Sequence, residues 1–192
     1  FFLHYGTGVM TVPSDGSVTT AKLGDNAVTS AKMFSGFKNG ITEADQFRLT
    51  VNLTNPGTAD ITANFERVDD ASFAKIGTGM TESSGIFSFP STGLYCVNYK
   101  LSTQSTTDFH VAYIYVSSDG GSTYDIVTEM LFGHNVSGLN KQDAFSQALI
   151  NVTNISNIKV KFNIVGLTIG SVLGATSSNR TAFTFIRLGD SQ

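Results

Sequence analysis

Little in this sequence could staple a fold or give it a strong charge. There is one cysteine, Cys96, so an internal disulfide is excluded and packing alone must hold the structure. Cys96 sits among aromatics in an alternating segment, where a small packed side chain is its expected role. Charged residues make up 14% of the chain, well under the ~25% of ordinary soluble domains. Ser, Thr, Asn and Gly fill the gap, a surface common on extracellular and virion β-proteins. The net charge is −3 and neither residues 1–40 nor the remainder is basic, which excludes a nucleic-acid partner. No apolar run approaches the ~18 residues of a membrane span, so no membrane insertion is expected. Phe1-Phe2-Leu3 is too short for a signal-peptide core and lacks a basic leader. Without an initiating Met, the chain reads as part of something longer.

Catalytic and metal-binding patterns are also missing. His4, His110 and His134 are scattered, and none pairs with another His or a Cys at metal-ligand spacing. No nucleophile elbow, P-loop or dinucleotide fingerprint occurs, and Gly6-Thr7-Gly8 and Gly77-Thr78-Gly79 read as turns. Asp69-Asp70 is the only adjacent carboxylate pair, but neighbours on an extended strand point to opposite faces and cannot flank one sugar. The acidic density there and at Asp119 is too low to specify calcium. Asn52, Asn135, Asn151, Asn154 and Asn179 begin Asn-x-Ser/Thr sequons, which matter only on a eukaryotic secretory route. The expectation is a non-enzyme without cofactors or metal.

What is present is a strand pattern. Hydrophobic residues are 41% and aromatics 11%, enough to fill a core. Ser84 to Leu101 reads as two short strands around Pro90-Ser91-Thr92-Gly93, with Tyr95, Val97, Tyr99 and Leu101 alternating with Leu94, Cys96, Asn98 and Lys100. Phe47, Leu49, Val51 and Leu53 alternate likewise up to the turn Asn55-Pro56-Gly57, and Ile61, Ala63 and Phe65 share the face of a following strand. Phe109 to Val116 is apolar on both faces, and Asp119-Gly120-Gly121 turns into a strand from Tyr124 to Phe132. Ala144 to Val152, Ile158 to Ile164 and Thr181 to Leu188 complete the set. About ten antiparallel strands with no convincing helix predict an all-β, two-sheet jelly-roll sandwich over residues 41–192. Its expected core is Phe47, Leu49, Val51, Phe87, Phe89, Tyr95, Val97, Tyr99, Phe162 and Phe185. The polar loops Gln104–Asp108, Gly133–Asn140 and Gly170–Asn179 are the candidates for recognition.

Residues 1–40 read as a stalk or linker segment. Asp15-Gly-Ser-Val-Thr-Thr-Ala-Lys-Leu23 is answered ten residues later by Asp25-Asn-Ala-Val-Thr-Ser-Ala-Lys-Met33. A period of ten fits neither a left-handed nor a right-handed coiled-coil seam. Val18, Leu23, Val28 and Met33 fall five apart, and one such strip cannot bury its apolar groups alone. Three copies around an axis would, with Lys22 and Lys32 facing solvent. Phe34 to Thr42 reads as the junction.

Two resemblances follow from these residues. Gly85-Ile-Phe-Ser-Phe-Pro-Ser-Thr-Gly-Leu-Tyr95 resembles the corner of the jelly roll shared by the complement one-q globular head and tumour necrosis factor. Phe47 onward resembles that family's first strand, Phe65–Val68 its approach to the corner, and Thr181–Leu188 its closing strand, with Thr184 where a Ser-Gly pair is commoner. The resemblance implies a homotrimer, with Phe109, Val111, Tyr113 and Tyr115 on the candidate interface strand. The repeats resemble those of bacteriophage tail-fibre proteins, and no collagen Gly-X-Y run precedes the domain. Together they point to an adhesive fibre tip or decoration protein, on a virion or otherwise extracellular. Such a tip would bind a host-surface glycan or protein and meet other virion proteins on its N-terminal side. The alternatives are a secreted complement/tumour-necrosis-factor-like recognition ligand and a subunit of a bacterial surface filament.

Overall fold

The computed structural model describes residues 15–25, 27–29, 32–33, 40–71, 73, 75–106, 109–133, 138 and 140–192. His4, His134, Asn135, Gly6-Thr7-Gly8, most of the 34–42 junction and parts of the 104–108 and 133–140 loops lie outside the described residues. The chain divides into two compact units, Phe1–Asn39 and Gly40–Gln192.

In the first unit the repeat has a structural counterpart. Lys22 N donates to Thr19 O and Lys32 N to Thr29 O, each at 2.9 Å. The ammonium groups repeat the pattern, Lys22 Nζ donating to Ser17 O at 2.5 Å and Lys32 Nζ to Ala27 O at 3.2 Å. Equivalent sequence therefore closes equivalent small loops, the first containing a single 3-10 turn at Thr20–Lys22. Val18 and Val28 end up 53% and 50% exposed, and Leu23 is exposed as well. One copy of the chain leaves this apolar strip uncovered.

The second unit is a sandwich of two antiparallel sheets. The larger contains β1 (Ala44–Leu49), β2 (Leu53–Thr54), β4 (Phe65–Arg67), β7 (Gly93–Ser105), β10 (Asn140–Val152), β12 (Gly170–Val172) and β13 (Ala182–Gly189). The smaller contains β3 (Gly57–Asp60), β5 (Thr81–Ser83), β6 (Ile86–Ser88), β8 (His110–Ser117), β9 (Asp125–Phe132) and β11 (Lys159–Leu167). β7 is the spine of the larger sheet. It pairs along its whole length with β10 on one edge, while β13 and then β12 share the other. The first and last strands lie side by side, Ala44 opposite Ile186 and Phe47 opposite Phe183.

Period-two alternation explains why these segments pair as they do. On β7, Tyr95, Val97, Tyr99 and Leu101 all face the core and are at most 1% exposed. The corner residues Phe87 and Phe89 join them, and Phe87 stands at the centre of an aromatic cluster. Its ring lies 5.2 Å from Phe47, 5.2 Å from Phe65, 5.6 Å from Phe162 and 5.0 Å from Phe185. Aromatic side chains each bury roughly 150–250 Å², so this cluster dominates the core in the absence of any disulfide. Phe47, Leu49, Tyr95, Val97, Tyr99, Phe162 and Phe185 are all buried. Gly85 makes the corner possible, with φ at +82° and any Cβ meeting Ile61 O at 2.1 Å.

Two expected strands are interrupted. Val51 is 50% exposed and not a core residue, because β1 ends at Leu49. The loop from β12 crosses there: Ala175 N donates to Leu49 O, and Gly174 N to Asn52 Oδ1. The alternation restarts only at Leu53, on a strand that pairs with β12. The expected run from Ile61 to Arg67 breaks at Asn64, whose φ of +66° no strand tolerates, so Ile61 is buried while Ala63 is exposed.

Candidate functional site

The strand register gathers the polar loops. Ser105, at the end of β7, lies opposite both Asn140 and Gly170. The end of β7 and the starts of β10 and β12, far apart in sequence, therefore lie at the same end of the sandwich.

At that end the outer face of the larger sheet carries an open pocket of about 460 Å³. Its floor is β7 and β10, and its wall is the segment from Leu173 to Arg180. Lys100, Lys141 and Arg180 supply three cations, and Asp143 is the one acid. Lys100 Nζ donates to Asn179 O at 2.9 Å, which braces the wall. The Ser102 hydroxyl donates to Asp143 Oδ1 and lies 3.0 Å from Arg180 O. Thr181 Oγ1 accepts from Ser102 N at 3.1 Å, fixing the start of β13 against β7. Asn179 Nδ2 donates to Gln46 Oε1 at 2.8 Å, while its own Oδ1 is buried without a partner.

A second feature lies along the edge where β9 and β10 meet. Val127, Leu131, Phe145 and Leu149 are all exposed there, the last two at 62% and 64%. β10 pairs only with β7 and β9 only with β8, so both strands end their sheets. On β10 the sizes are inverted: Ala144, Ser146 and Ala148 face inward while Phe145 and Leu149 face outward. Edge strands and large exposed apolar groups are features that proteins commonly cover.

The residues singled out from sequence fall elsewhere in part. β8 is an interior strand of the smaller sheet, with His110, Ala112 and Ile114 buried on its inner face. On its outer face Val111 is buried, and Tyr113 and Tyr115 are half-covered by their own chain. Lys161 Nζ stands 5.2 Å from the Tyr115 ring and 4.4 Å from that of Tyr124, and Tyr113 packs edge-on to Tyr115 at 5.6 Å. Only Phe109, just before the strand, is largely exposed. Part of the outer face of β8 is therefore covered within the chain itself. Asp69 and Asp70, with Glu66, hold the buried guanidinium of Arg48 at 3.2, 2.9 and 2.8 Å. The Asp119 carboxylate is taken up by Ser117, Ser122 and Thr123. Asp69 and Asp70 are thus drawn to Arg48, and Asp119 to its own turn.

Sequence reading passed over Phe145 and Leu149, although the inverted sizes along one strand, small at 144, 146 and 148 and large at 145 and 149, were the signal that could have found them. The pocket cations carried no such signal, since Lys100, Lys141 and Arg180 share no motif and meet only through the pairing of β7 with β10 and β13.

No family model matches the chain, and no curated protein matches it either. Solved structures do. Eiger TNF from S. frugiperda superposes with a TM-score of 0.60 at 11% identity, over 80% of this chain and 96% of its own. Murine APRIL at pH 5.0 gives 0.57 at 12% identity, and at pH 8.0 it gives 0.54 at 13%. Both APRIL structures cover 76% of this chain and 98% of their own. At such low identity the likeness is one of fold: the sandwich is a two-sheet jelly roll of the kind found in a tumour necrosis factor and in APRIL.

Proposed function

We propose that this chain is the head of a homotrimeric, non-enzymatic recognition ligand acting outside cells, of the tumour-necrosis-factor and complement one-q type. The observation that carries the reading is the β9–β10 edge. Four large apolar side chains stand exposed on strands that lack a further partner, on a fold shared with TNF ligands. Obligate interfaces are richer in large apolar groups than ordinary surface, and Phe145 and Leu149 supply such groups here among Asp143, Gln147 and Asn151. Phe145 and Leu149 are the centre of the edge, and the loops at the end of the sandwich remain available for a receptor. Sedimentation of the full chain at micromolar concentration tests the reading. The expected species has three times the 20.5 kDa chain mass, and the double substitution Phe145→Lys, Leu149→Lys yields folded monomers. A wild-type monomer, or a variant that remains trimeric, overturns it.

A fibre tip, on a virion or a bacterial surface, is the second reading. The decapeptide repeat favours it, because both copies close the same lysine-clamped loop and leave Val18, Leu23 and Val28 uncovered. On this reading those residues and Met33 face a threefold axis, and the head presents its loops to a host glycan or protein.

A further inference from the structure

We infer that the pocket between the β7–β10 floor and the Leu173–Arg180 wall binds an acidic saccharide through its carboxylate. The argument begins with where the positive charge of a weakly acidic protein goes. In the jelly roll, Arg48, Arg67, Lys161 and Arg187 are each paired with a carboxylate. Lys75 and Lys159 donate to backbone carbonyls at Thr78 and Ile155, on other parts of the surface. Of the five jelly-roll cations without a carboxylate partner among the described residues, three, Lys100, Lys141 and Arg180, line this one pocket, Lys100 and Arg180 also donating to backbone carbonyls of its wall. Like charges gathered around a concavity raise the local concentration of an anion and repel one another until one arrives.

The rest of the lining suits a sugar better than a bare anion. The volume of about 460 Å³ falls in the ~300–1,000 Å³ range of small-ligand sites, far beyond what a single small ion fills. Ser178 adds an exposed hydroxyl to the wall. Asp143, its Oδ1 engaged by Ser102, is an acceptor for a sugar hydroxyl and leaves the pocket cationic by two charges. Lys141 and Arg180 are exposed at the rim and form charge-assisted hydrogen bonds with the incoming carboxylate, while Lys100 stays braced on Asn179 O. Phe145 lies opposite Lys100 on the same outward face, so the pocket borders the proposed interface; every lining group named belongs to one chain, and the Phe145→Lys, Leu149→Lys monomer is expected to keep the site.

Calorimetric titration of the full chain with methyl glucuronide and with methyl sialoside tests the inference, with methyl glucoside and acetate as controls. One site per chain is expected for at least one acidic sugar. The glucoside and acetate should each bind at least about tenfold more weakly, the loss expected when a charged hydrogen-bond set or the sugar's own contacts are removed. Lys141→Gln and Arg180→Gln should each weaken binding by a similar factor, whereas Lys75→Gln, on another part of the surface, should not. Both pocket residues are exposed, so the variants should keep the wild-type unfolding temperature. The inference is overturned if neither acidic sugar binds, if acetate or the glucoside binds as well, or if the pocket variants match wild type. Sedimentation of the same samples reports the oligomeric state separately, so loss of the trimer and loss of the site are told apart.

Discussion

At the scale of single residues, Asp119 shows how a turn can be held by one carboxylate. Its oxygens accept from the Thr123 hydroxyl at 2.6 Å, Thr123 N at 2.9 Å, the Ser117 hydroxyl at 2.8 Å and Ser122 N at 3.0 Å. These bonds, the Thr123 hydroxyl foremost, hold its pKa well below the usual carboxylate range. A depressed folded-state pKa contributes stability that is fully present above the unfolded value of about 3.9 and is lost as pH falls from there towards the folded value. Asp119→Asn should therefore unfold a few degrees lower than wild type at pH 7. The gap should narrow steadily below about pH 4, as read by thermal melts across pH. A gap that stays constant down to pH 2 would mean the charge is not what matters. From the sequence, Asp119-Gly120-Gly121 was legible as a turn because its residue types dictate it. The carboxylate's partners at 117 and 123 were not, since nothing in spacing alone says which hydroxyls turn inward.

Among the elements, β7 was the easiest to read and the β1–β2 segment the hardest. Tyr95, Val97, Tyr99 and Leu101 of β7 alternate as the sequence shows and are all buried, with Asn98 and Lys100 half-covered between them. Phe47 to Leu53 alternates just as well, yet the ladder stops at Leu49. The cause lies over a hundred residues away, in the Gly174 crossing, and a local pattern carries no trace of it. Gly174 is the tightest point of that crossing: a Cβ there would meet Val51 O at 2.4 Å and Val51 N and C at 2.6 Å. All three are backbone atoms, so no side chain can swing aside to make room. Gly174→Ala should destabilise the fold by about 1–3 kcal/mol, the usual result of overpacking, measured by urea unfolding. Ala175→Gly, next to it, should cost well under that if contact with Val51 is the cause. The same crossing builds the wall of the cationic pocket, so Gly174→Ala should also disturb the groups from Leu173 to Arg180.

For the whole molecule, sequence conveyed the sandwich and the repeat, but not the exposure that underlies the surface proposed here to meet a second copy. Apolar content marked Phe109–Val116, whereas exposure marks Phe145 and Leu149, and only the fold separates the two. The uncovered strip at Val18, Leu23 and Val28 leads to a further expectation. A few half-exposed aliphatic groups per chain, at ~25 cal/mol per Å², barely offset the backbone entropy of ordering the segment. Heads already joined in a trimer would raise the effective concentration of their N-terminal segments and tip that balance. A peptide of residues 1–40 should thus be monomeric and lack a structured circular dichroism spectrum, while the same residues in the trimeric chain should be protected from hydrogen exchange. A peptide that trimerises unaided, or a segment that exchanges freely in the trimer, would each refute the dependence on the head. The register also has a mechanical meaning. β1 begins at Ala44, level with Ile186 and Cys96, while the pocket and the gathered loops lie past Lys100, at the opposite end of the same sheet. Tension between an N-terminal tether and a target gripped by those loops would run lengthwise along the strands. The cross-strand hydrogen bonds, perpendicular to that pull, would be loaded together in shear instead of being peeled apart one by one. A head so arranged would keep its grip under flow while its resting thermodynamic stability stayed modest.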